Sequence, residues 1–383
     1  MTPRTPTSSR DVGRRCFLVG GGATLAIGLT TPLSRVLARE SVEGRALYLG
    51  GRGDGGDRFW LTGFDDTGAA RFDIAMPGRP HGIAVRPDSA ESVAFARRPG
   101  TFAVVFDAAA GVETGRFEAA EGRHFYGHGL FTADGRHLLT PENDYGRGRS
   151  VIGLRDAADG YRQVGELQVE GVGPHDLRLM PDGKTLAVAV GGIRTHPESG
   201  RAKLNLETMD PALSVMEIES GRTLDSFRLA SRYHKLSIRH LDVTAEGRVA
   251  VAMQYEGGKG DCVPLAALFD GGGLRPLAVP DALERRMRQY AGSVAFDRGG
   301  RYLAVTCPRG NLVVIWDAAD GALLYEVPFA DVCGIAPAMQ DGGFILTGAA
   351  GHIARFDVAP GRLADLPPHG TGGWDNHLIA SSG

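Results

Sequence analysis

Short alternating runs of apolar and polar residues, separated by tight turns, dominate the chain after its first forty-odd residues. One recurring element is an apolar or aromatic strand that ends in an acidic residue and runs into a glycine turn. It occurs seven times, with the turn glycines Gly68, Gly111, Gly160, Gly221, Gly273, Gly321 and Gly361. Successive glycines lie 43, 49, 61, 52, 48 and 40 residues apart. One four-stranded propeller blade takes roughly 40–50 residues, so the pattern predicts seven blades.

A second element, interleaved with the first, is a strand, an acid–glycine turn and another strand, as in 130–139 and 241–251. Such turns need positive φ and are typical of β-hairpins. A β-sandwich or two stacked β domains is the alternative, but neither repeats a blade-like unit. The last apolar segment, 374–380, has no hairpin partner, while the first blade, which begins with strands at 45–49 and 59–64, lacks its innermost strand. We therefore predict an all-β, seven-bladed β-propeller closed by its C-terminal strand, with helical periodicity confined to 281–289.

Composition and the N-terminus narrow the class of protein. A net charge of -3 and a pI near 6.4 argue against nucleic-acid binding. Arg14 and Arg15, a weakly apolar run at 20–29 and small residues at 36–38 resemble a twin-arginine signal peptide spanning 1–38. A disordered basic tail would explain the arginines but not the apolar run. No other segment has the roughly 18 apolar residues of a membrane span, so we expect 39–383 to form a periplasmic protein without stable membrane insertion.

Five of the 11 histidines occupy one position of the repeat, six or seven residues before the hairpin turn or at the equivalent place in the closing strand. They are His81, His128, His175, His240 and His377, while Gly292 and Gly334 hold this position in the two other units. Innermost strands line a propeller channel, so we expect the five imidazoles to converge at one mouth. Converging imidazoles are typical ligands of Fe, Cu or Zn. A strand-capping role, copied by duplication, is the alternative for each histidine taken singly.

Three polar segments, 140–147, 191–211 and 254–256, are predicted to be loops at the same mouth, the longest of them a lid. Their candidate ligand-binding or cofactor-binding residues are Glu142, Asn143, Asp144, Arg194, His196 and Tyr255. Glu142 and Asp144 are candidate oxygen ligands or acid–base groups. An anionic ligand is an alternative to the metal, because Arg147 and Arg194 lie in these segments and Arg98 and Arg309 lie in the corresponding loops of other blades. Cys262, Cys307 and Cys333 map to the same face, where a Cys307–Cys333 disulfide is one alternative and free thiols or soft metal ligands are the other.

Recognisable catalytic motifs are missing from the sequence. It has no Gly-x-Ser-x-Gly elbow, Walker loop, dinucleotide fingerprint or Cys-x-x-Cys-His site. The catalytic residues, if the protein is an enzyme, are therefore unknown, and three classes of function stay open. They are a binding or accessory protein for a metal ion or small ligand, a propeller enzyme (a lactonase, hydrolase or metal-dependent redox enzyme), and a protein-interaction scaffold.

Several motifs resemble those of one family across nearly the whole mature chain. They are the segments 79–82, 127–129, 141–145, 173–175, 195–197, 239–241, 333–334 and 374–378. The family is the twin-arginine-exported propellers called domain of unknown function 1513, whose members often lie in gene clusters with imelysin-like and iron-uptake proteins. The resemblance implies a role in iron or other transition-metal acquisition, with periplasmic iron-uptake proteins as partners. More distantly, the fold is similar to surface-layer and quinoprotein-type propellers, and a histidine-lined mouth holds copper in nitrous oxide reductase.

Overall fold

The computed structural model describes residues 47–87, 89–200 and 202–381, and the predicted signal segment 1–38 lies outside them. The described chain folds into seven antiparallel sheets, each built mainly from strands that follow one another in sequence. This arrangement confirms the predicted seven-bladed β-propeller. Among the described residues, no helix is both long enough and apolar enough to cross a membrane.

Each blade is one sheet, numbered here in chain order. The strands of blades 1 to 4 are β1 (Leu47–Gly53), β2 (Phe59–Asp65) and β3 (Ala70–Met76); β4 (Pro80–Val85), β5 (Glu91–Ala96), β6 (Phe102–Asp107) and β7 (Val112–Glu118); β8 (Arg123–Phe125), β9 (Leu130–Phe131), β10 (His137–Asp144), β11 (Arg149–Asp156) and β12 (Arg162–Gln168); and β13 (Pro174–Leu179), β14 (Thr185–Val190), β15 (Ala212–Glu217) and β16 (Thr223–Phe227). The strands of blades 5 to 7 are β17 (Leu236–Val243), β18 (Val249–Tyr255), β19 (Ala266–Phe269) and β20 (Leu274–Pro276); β21 (Ser293–Phe296), β22 (Tyr302–Cys307), β23 (Leu312–Asp317) and β24 (Leu323–Pro328); and β25 (Ile335–Pro337), β26 (Gly343–Thr347), β27 (Ile353–Asp357) and β28 (Arg362–Leu366). The helix α1 (Asp281–Arg286) lies between blades 5 and 6, and short 3₁₀ turns occupy Pro197–Ser199, Leu206–Thr208, Ser231–Tyr233, Pro308–Gly310 and Ala349–Gly351.

The ring is closed by the last strand, β29 (Gly373–Ser381), which pairs antiparallel with β1 and becomes the innermost strand of blade 1. The sequence predicted this closure, and the observed strand extends the predicted 374–380 by one residue at each end. The closing strand therefore gives β1 a partner on each side and completes blade 1 as a four-stranded sheet.

Burial follows the position of a strand in its blade. The second and third strands are apolar and buried on both faces, as in β14, whereas outermost strands such as β7 alternate towards solvent. Large aromatic residues fill the spaces between blades: Phe95 packs edge-on against Phe125, and Phe117 stacks on Tyr161. Truncating a buried phenylalanine such as Phe95 to alanine typically costs about 3–5 kcal/mol, so these contacts hold neighbouring blades together.

Carboxylates of the inner strands also link one blade to the next. Asp242 accepts a hydrogen bond from the backbone N–H of Phe296 at 2.8 Å, and Asp297 accepts one from Gly342 at 2.8 Å. Asp176 faces the backbone N–H of Leu241 at 3.4 Å in the same way. These bonds fix the relative positions of the inner strands around the channel, and therefore of the side chains that those strands carry.

The structure corrects three local expectations. Residues 140–144 were expected in a loop, but they form the end of β10, where Glu142 is opposite both Val151 and Phe125. Gln254 and Tyr255, also expected in a loop, end β18. The helical segment stops at Arg286, three residues before the predicted 289.

Candidate metal centre

Five imidazoles meet at the channel mouth, and we call them the histidine cluster. Its members are His81, His128, His175, His240 and His377. Nine of the pairs within it have ring centroids between 4.4 and 6.4 Å apart. All five residues are buried, with exposed fractions of 3 to 8%. The repeat position that the sequence singled out therefore brings all five side chains together.

Irregular backbone at the innermost strands positions these histidines. In β4 the register shifts between Pro80 and Ile83, so His81 lies in a bulge, and His175 is the extra residue of the shift in β13. His240 directly follows the shift in β17, whose extra residue is Arg239. A bulge turns a side chain away from the direction that regular pleating would give it.

The other two histidines also lie at interruptions. The segment 375–377 of β29, which includes His377, faces a single residue of β1, Gly51. His128 lies in the gap between β8 and β9 and directly follows Gly127. Gly127 has a φ of 100°, a backbone conformation that favours glycine. A Cβ at Gly127 would lie 2.7 Å from Cδ2 of His81, so only glycine allows the two rings to approach. Gly292 and Gly334 hold the histidine position in the two other blades. The strands that follow them, β21 and β25, pair with β22 and β26 without a register shift.

The ring nitrogens form two groups with metal-ligand spacing that share His128. One group contains His81, His128 and His175, and the other His128, His240 and His377, with the ligand atoms of each group within 4.8 Å of one another. Transition metals bind imidazole nitrogen at about 2.0–2.1 Å, which puts opposite ligands about 4.2 Å apart. The nitrogens of each group are close enough that movement of the side chains towards a shared ion would bring them to coordination distance.

The cluster is electrically neutral at neutral pH. Burial lowers the pKa of His128, His175, His240 and His377 well below the usual 6.5, and neighbouring positive charges lower it further. Burial also lowers the pKa of His81, although the hydrogen bond to Asp375 opposes it. Metal ions bind the neutral form of imidazole, so these residues need not lose protons to become ligands.

Four ring nitrogens of the cluster are buried without a hydrogen-bond partner in the described part of the chain. They are Nε2 of His128, Nδ1 of His175, Nδ1 of His240 and Nε2 of His377. A buried polar atom left in this state costs about 1–3 kcal/mol. Unpartnered nitrogens on four neighbouring buried imidazoles are the arrangement expected of residues that hold a ligand, and a metal ion would satisfy several of them at once.

Two buried carboxylates orient the cluster from outside. Asp375 lies 2.8 Å from Nδ1 of His81, and Asp176 lies 3.4 Å from Nδ1 of His128. Burial alone would raise the pKa of Asp375, but the hydrogen bond from His81 and the charges of Arg79 and Arg97 hold that pKa well below its usual range. Carboxylates that bind Nδ1 leave Nε2 for a metal and make the imidazole a stronger ligand. The sequence analysis missed both aspartates, although each lies within two residues of a cluster histidine.

A cavity of about 860 Å³ opens above the cluster, and we call it the funnel. His81, His175 and His240 form part of its wall, so the cluster is reached from this side. Its cationic lining residues are Arg52, Arg79, Arg97, Arg98, Lys203, Arg239 and Arg309, and its carboxylates are Glu256, Asp331 and Asp375. Arg98 and Arg309 were expected at this mouth, whereas Arg147 and Arg194 are not among the lining residues. The predicted lid segment contributes Lys203, which forms an ion pair with Glu256.

Glu142 and Asp144 lie in a buried ion-pair network, and neither lines the funnel. Glu142 is fully buried and accepts hydrogen bonds from Arg155 at 2.9 Å and Arg123 at 3.3 Å. Asp144 pairs with Arg123 at 3.2 Å and Arg149 at 2.9 Å. These contacts give both carboxylates a structural role, and their assignment as ligands stays a prediction.

The remaining sequence candidates are dispersed. Asn143 donates to the carbonyl of Thr195 at 3.0 Å, and the Arg194 side chain is exposed. His196 caps a 3₁₀ turn, with its ring 5.3 Å from that of Tyr145. Tyr255 is the one member of the set that lines the funnel, where its hydroxyl donates to Asp261 at 2.7 Å. Binding roles for these residues also stay predictions.

The cysteines of the described chain are free thiols, so of the two open alternatives the disulfide is not formed. Cys307 is buried in the core between blades. Cys333 lines the funnel, where its thiol donates to the carbonyl of Asp331 at 3.2 Å, and burial raises its pKa to about 12. A thiol with so high a pKa is a poor nucleophile and metal ligand at neutral pH.

Fold and site together define a seven-bladed β-propeller with a buried histidine cluster at its channel mouth. The chain belongs to the family described as "Protein of unknown function (DUF1513)", whose model matches residues 74–381. No curated protein matches it. A similar solved structure is Kuenenia stuttgartiensis hydrazine synthase, with a TM-score of 0.56 and 16% identity over 81% of this chain and 92% of that one. At this identity the similarity supports the propeller fold alone.

Proposed function

We propose that this protein binds a transition-metal ion in the histidine cluster and serves as a periplasmic binding or accessory protein in metal acquisition. The observation that carries the proposal is the meeting of five buried imidazoles, four of which have a ring nitrogen with no partner in the described chain. A cluster that only capped strands would use these nitrogens in hydrogen bonds to neighbouring blades.

The donor set narrows the choice of metal. Imidazole suits Zn, Cu, Fe and Ni, whereas Mg and Ca prefer oxygen ligands, of which the cluster offers none directly. The two carboxylates, Asp375 and Asp176, contact histidines and support them. Assignment to iron, to periplasmic iron-uptake partners and to twin-arginine export of 39–383 is a proposal supported by the family resemblance.

Metal binding is tested by equilibrium dialysis of the metal-free protein against Fe(II), Cu(II) and Zn(II), followed by elemental analysis. We expect a single ion per chain and its loss in His128→Ala, because His128 belongs to both ligand groups. The matched control is His137→Ala, which removes a half-buried histidine of β10 outside the cluster. Thermal melts followed by circular dichroism show that each variant is folded. Equal, negligible metal in the wild type and in folded His128→Ala would refute the proposal.

A metal-dependent enzyme, hydrolytic or redox, is the second candidate, favoured by the access that the funnel gives to His81, His175 and His240. A bound ion there would face a cavity of the size that holds small molecules. Ester, lactone and redox substrates are screened with the metal-loaded protein. Turnover that folded His128→Ala loses would support this candidate, and the absence of any such turnover would count against it.

A further inference from the structure

The funnel is positively charged in a chain whose overall charge is negative. Seven cationic residues and three carboxylates line it, an excess of four positive charges, while the whole chain carries -3. Positive charge concentrated in a concave site raises the local concentration of anions. The volume of about 860 Å³ falls within the roughly 300–1,000 Å³ of small-molecule sites.

The carboxylates in the funnel neutralise only part of its positive charge. Asp375 is engaged by Arg79 and His81, and Glu256 pairs with Lys203. The third carboxylate, Asp331, has its pKa raised by burial. Arg52 also pairs with Asp73, which lies outside the lining, at 2.6 Å, so the positive charge that remains along the wall lies on the other arginines.

Arg309 shows this excess most directly. It forms no ion pair with a carboxylate of the described residues, and its guanidinium lies over the Tyr290 ring, 4.3 Å from the centroid. The Tyr290 hydroxyl accepts a hydrogen bond from Asn376 at 3.2 Å and keeps its own proton to donate. Guanidinium and phenol together offer donors to an anion on this side of the funnel.

Arg239 lies at the boundary between the funnel and the histidine cluster. It is buried, with 6% exposed, and directly precedes His240 at the bulge of β17. The charge of Arg239 is also the largest contribution after burial to the lowered pKa of His175, which places that charge close to the ring. A guanidinium is suited to two parallel hydrogen bonds with a carboxylate.

We infer that the funnel binds a small organic polycarboxylate, with one carboxylate on the metal ion of the histidine cluster and the others on the arginines of the wall. This inference rests on the proposed metal site, because the ion supplies one of the two anchors. Nitrogen ligands from the cluster leave the funnel side of the ion open, and an oxygen ligand would enter there. The arginines would then select a metal complex by the charge of its organic part.

The test is isothermal titration of citrate into metal-free and Zn(II)-loaded protein, with inorganic phosphate as a second anion. We expect citrate to bind the loaded protein at least tenfold more tightly than the metal-free protein and more tightly than phosphate. Arg309→Gln and Arg239→Gln should each weaken citrate binding severalfold at unchanged zinc content. Arg362→Gln, which changes an exposed arginine on the outer strand β28, is the control. Because Arg239 is buried, Arg309→Gln decides the result if Arg239→Gln does not fold.

Elemental analysis of the same samples, before titration and after gel filtration, separates this inference from the proposed function. Full zinc content without citrate binding would overturn the polycarboxylate site and leave the metal site standing. Equal citrate affinity in the two forms, or zinc removed by citrate, would overturn the bridged complex. Phosphate binding as tight as citrate would overturn the polycarboxylate class, and no retained zinc would refute the metal site itself.

Discussion

The replacement Asp375→Asn tests whether the histidine cluster is a metal site and not only a packed core. Asp375 is buried, lies 2.8 Å from Nδ1 of His81 and forms an ion pair with Arg79 at 2.5 Å. Asparagine has nearly the same shape and still offers an oxygen to Nδ1, but it carries no charge. The change therefore removes the electrostatic support of His81 with little loss of packing.

The expected loss of metal affinity follows from these contacts. Removing a carboxylate that supports a metal-bound histidine typically costs 10–100-fold in affinity, or about 1.4–2.7 kcal/mol. Asp375 also faces Arg97 at 3.7 Å, so its replacement leaves the charges of two arginines uncompensated beside His81. Since both charges oppose a divalent cation, we expect a loss near the upper end, about 100-fold.

The chain provides a matched control for this measurement. Asp365 lies 2.8 Å from Nε2 of His352, again a carboxylate–imidazole contact, but Asp365 is exposed, His352 is half-buried, and both lie in blade 7 outside the cluster. Zn(II) dissociation constants of the wild type, Asp375→Asn and Asp365→Asn are measured by competition with a chromophoric chelator, with melts to confirm folding. A change of less than twofold in folded Asp375→Asn, or an equal loss in the control, would refute the reasoning.

Three further outcomes are expected. Folding lowers the pKa of the five cluster histidines below 6.5, so in acid the unfolded chain binds more protons than the folded one. The free energy of unfolding of the metal-free protein should therefore reach its full value above pH 6.5 and decrease below it. The decrease should be up to about 1.4 kcal/mol per pH unit for each histidine that stays neutral. Urea unfolding between pH 7.5 and 5 measures this, and a flat profile would contradict it. Deleting 373–383 removes β29 and should abolish cooperative thermal unfolding, whereas a wild-type melt would show that ring closure is dispensable. Burial raises the pKa of the Cys307 thiol, so Cys307 should react with a thiol reagent only after denaturation, whereas Cys262 reacts in the folded protein. If Cys307 and Cys333 did not react with the reagent in denaturant without reductant, they would form a disulfide.

The propeller was predictable because its turns and strands report local sterics. Turn glycines such as Gly68 and Gly321, each with φ of 81°, recur once per blade and mark its period. Counting from the hairpin turns then placed the five histidines in one structural position. Since register within a blade follows from the turn, the convergence of their side chains could be predicted without knowing any long-range contact.

The environment of the polar candidates could not be predicted in the same way. Glu142 and Asp144 look like loop residues in sequence, but arginines from neighbouring strands pair with them and allow burial inside β10. The partners Arg123 and Arg155 lie 19 and 13 residues from Glu142 along the chain, and nothing in the local pattern connects them. The bulges that direct the histidines into the channel could not be predicted from the sequence either, because one extra residue in a strand does not change its composition in a recognisable way.

The restriction of the cluster to five imidazoles is a consequence of packing at the two glycine positions. A Cβ at Gly334 would lie 2.6 Å from Oγ1 of Thr347 and 2.9 Å from Cβ of Leu378, next to His377 in the closing strand. At Gly292 it would lie 2.8 Å from Cδ of Pro308. Seven imidazoles would also exceed the six ligands of an octahedral ion. Five or fewer leave the ion room for a ligand from the funnel, so the two glycines, of which Gly334 also makes room for the closing strand, keep the proposed metal site open to an incoming anion.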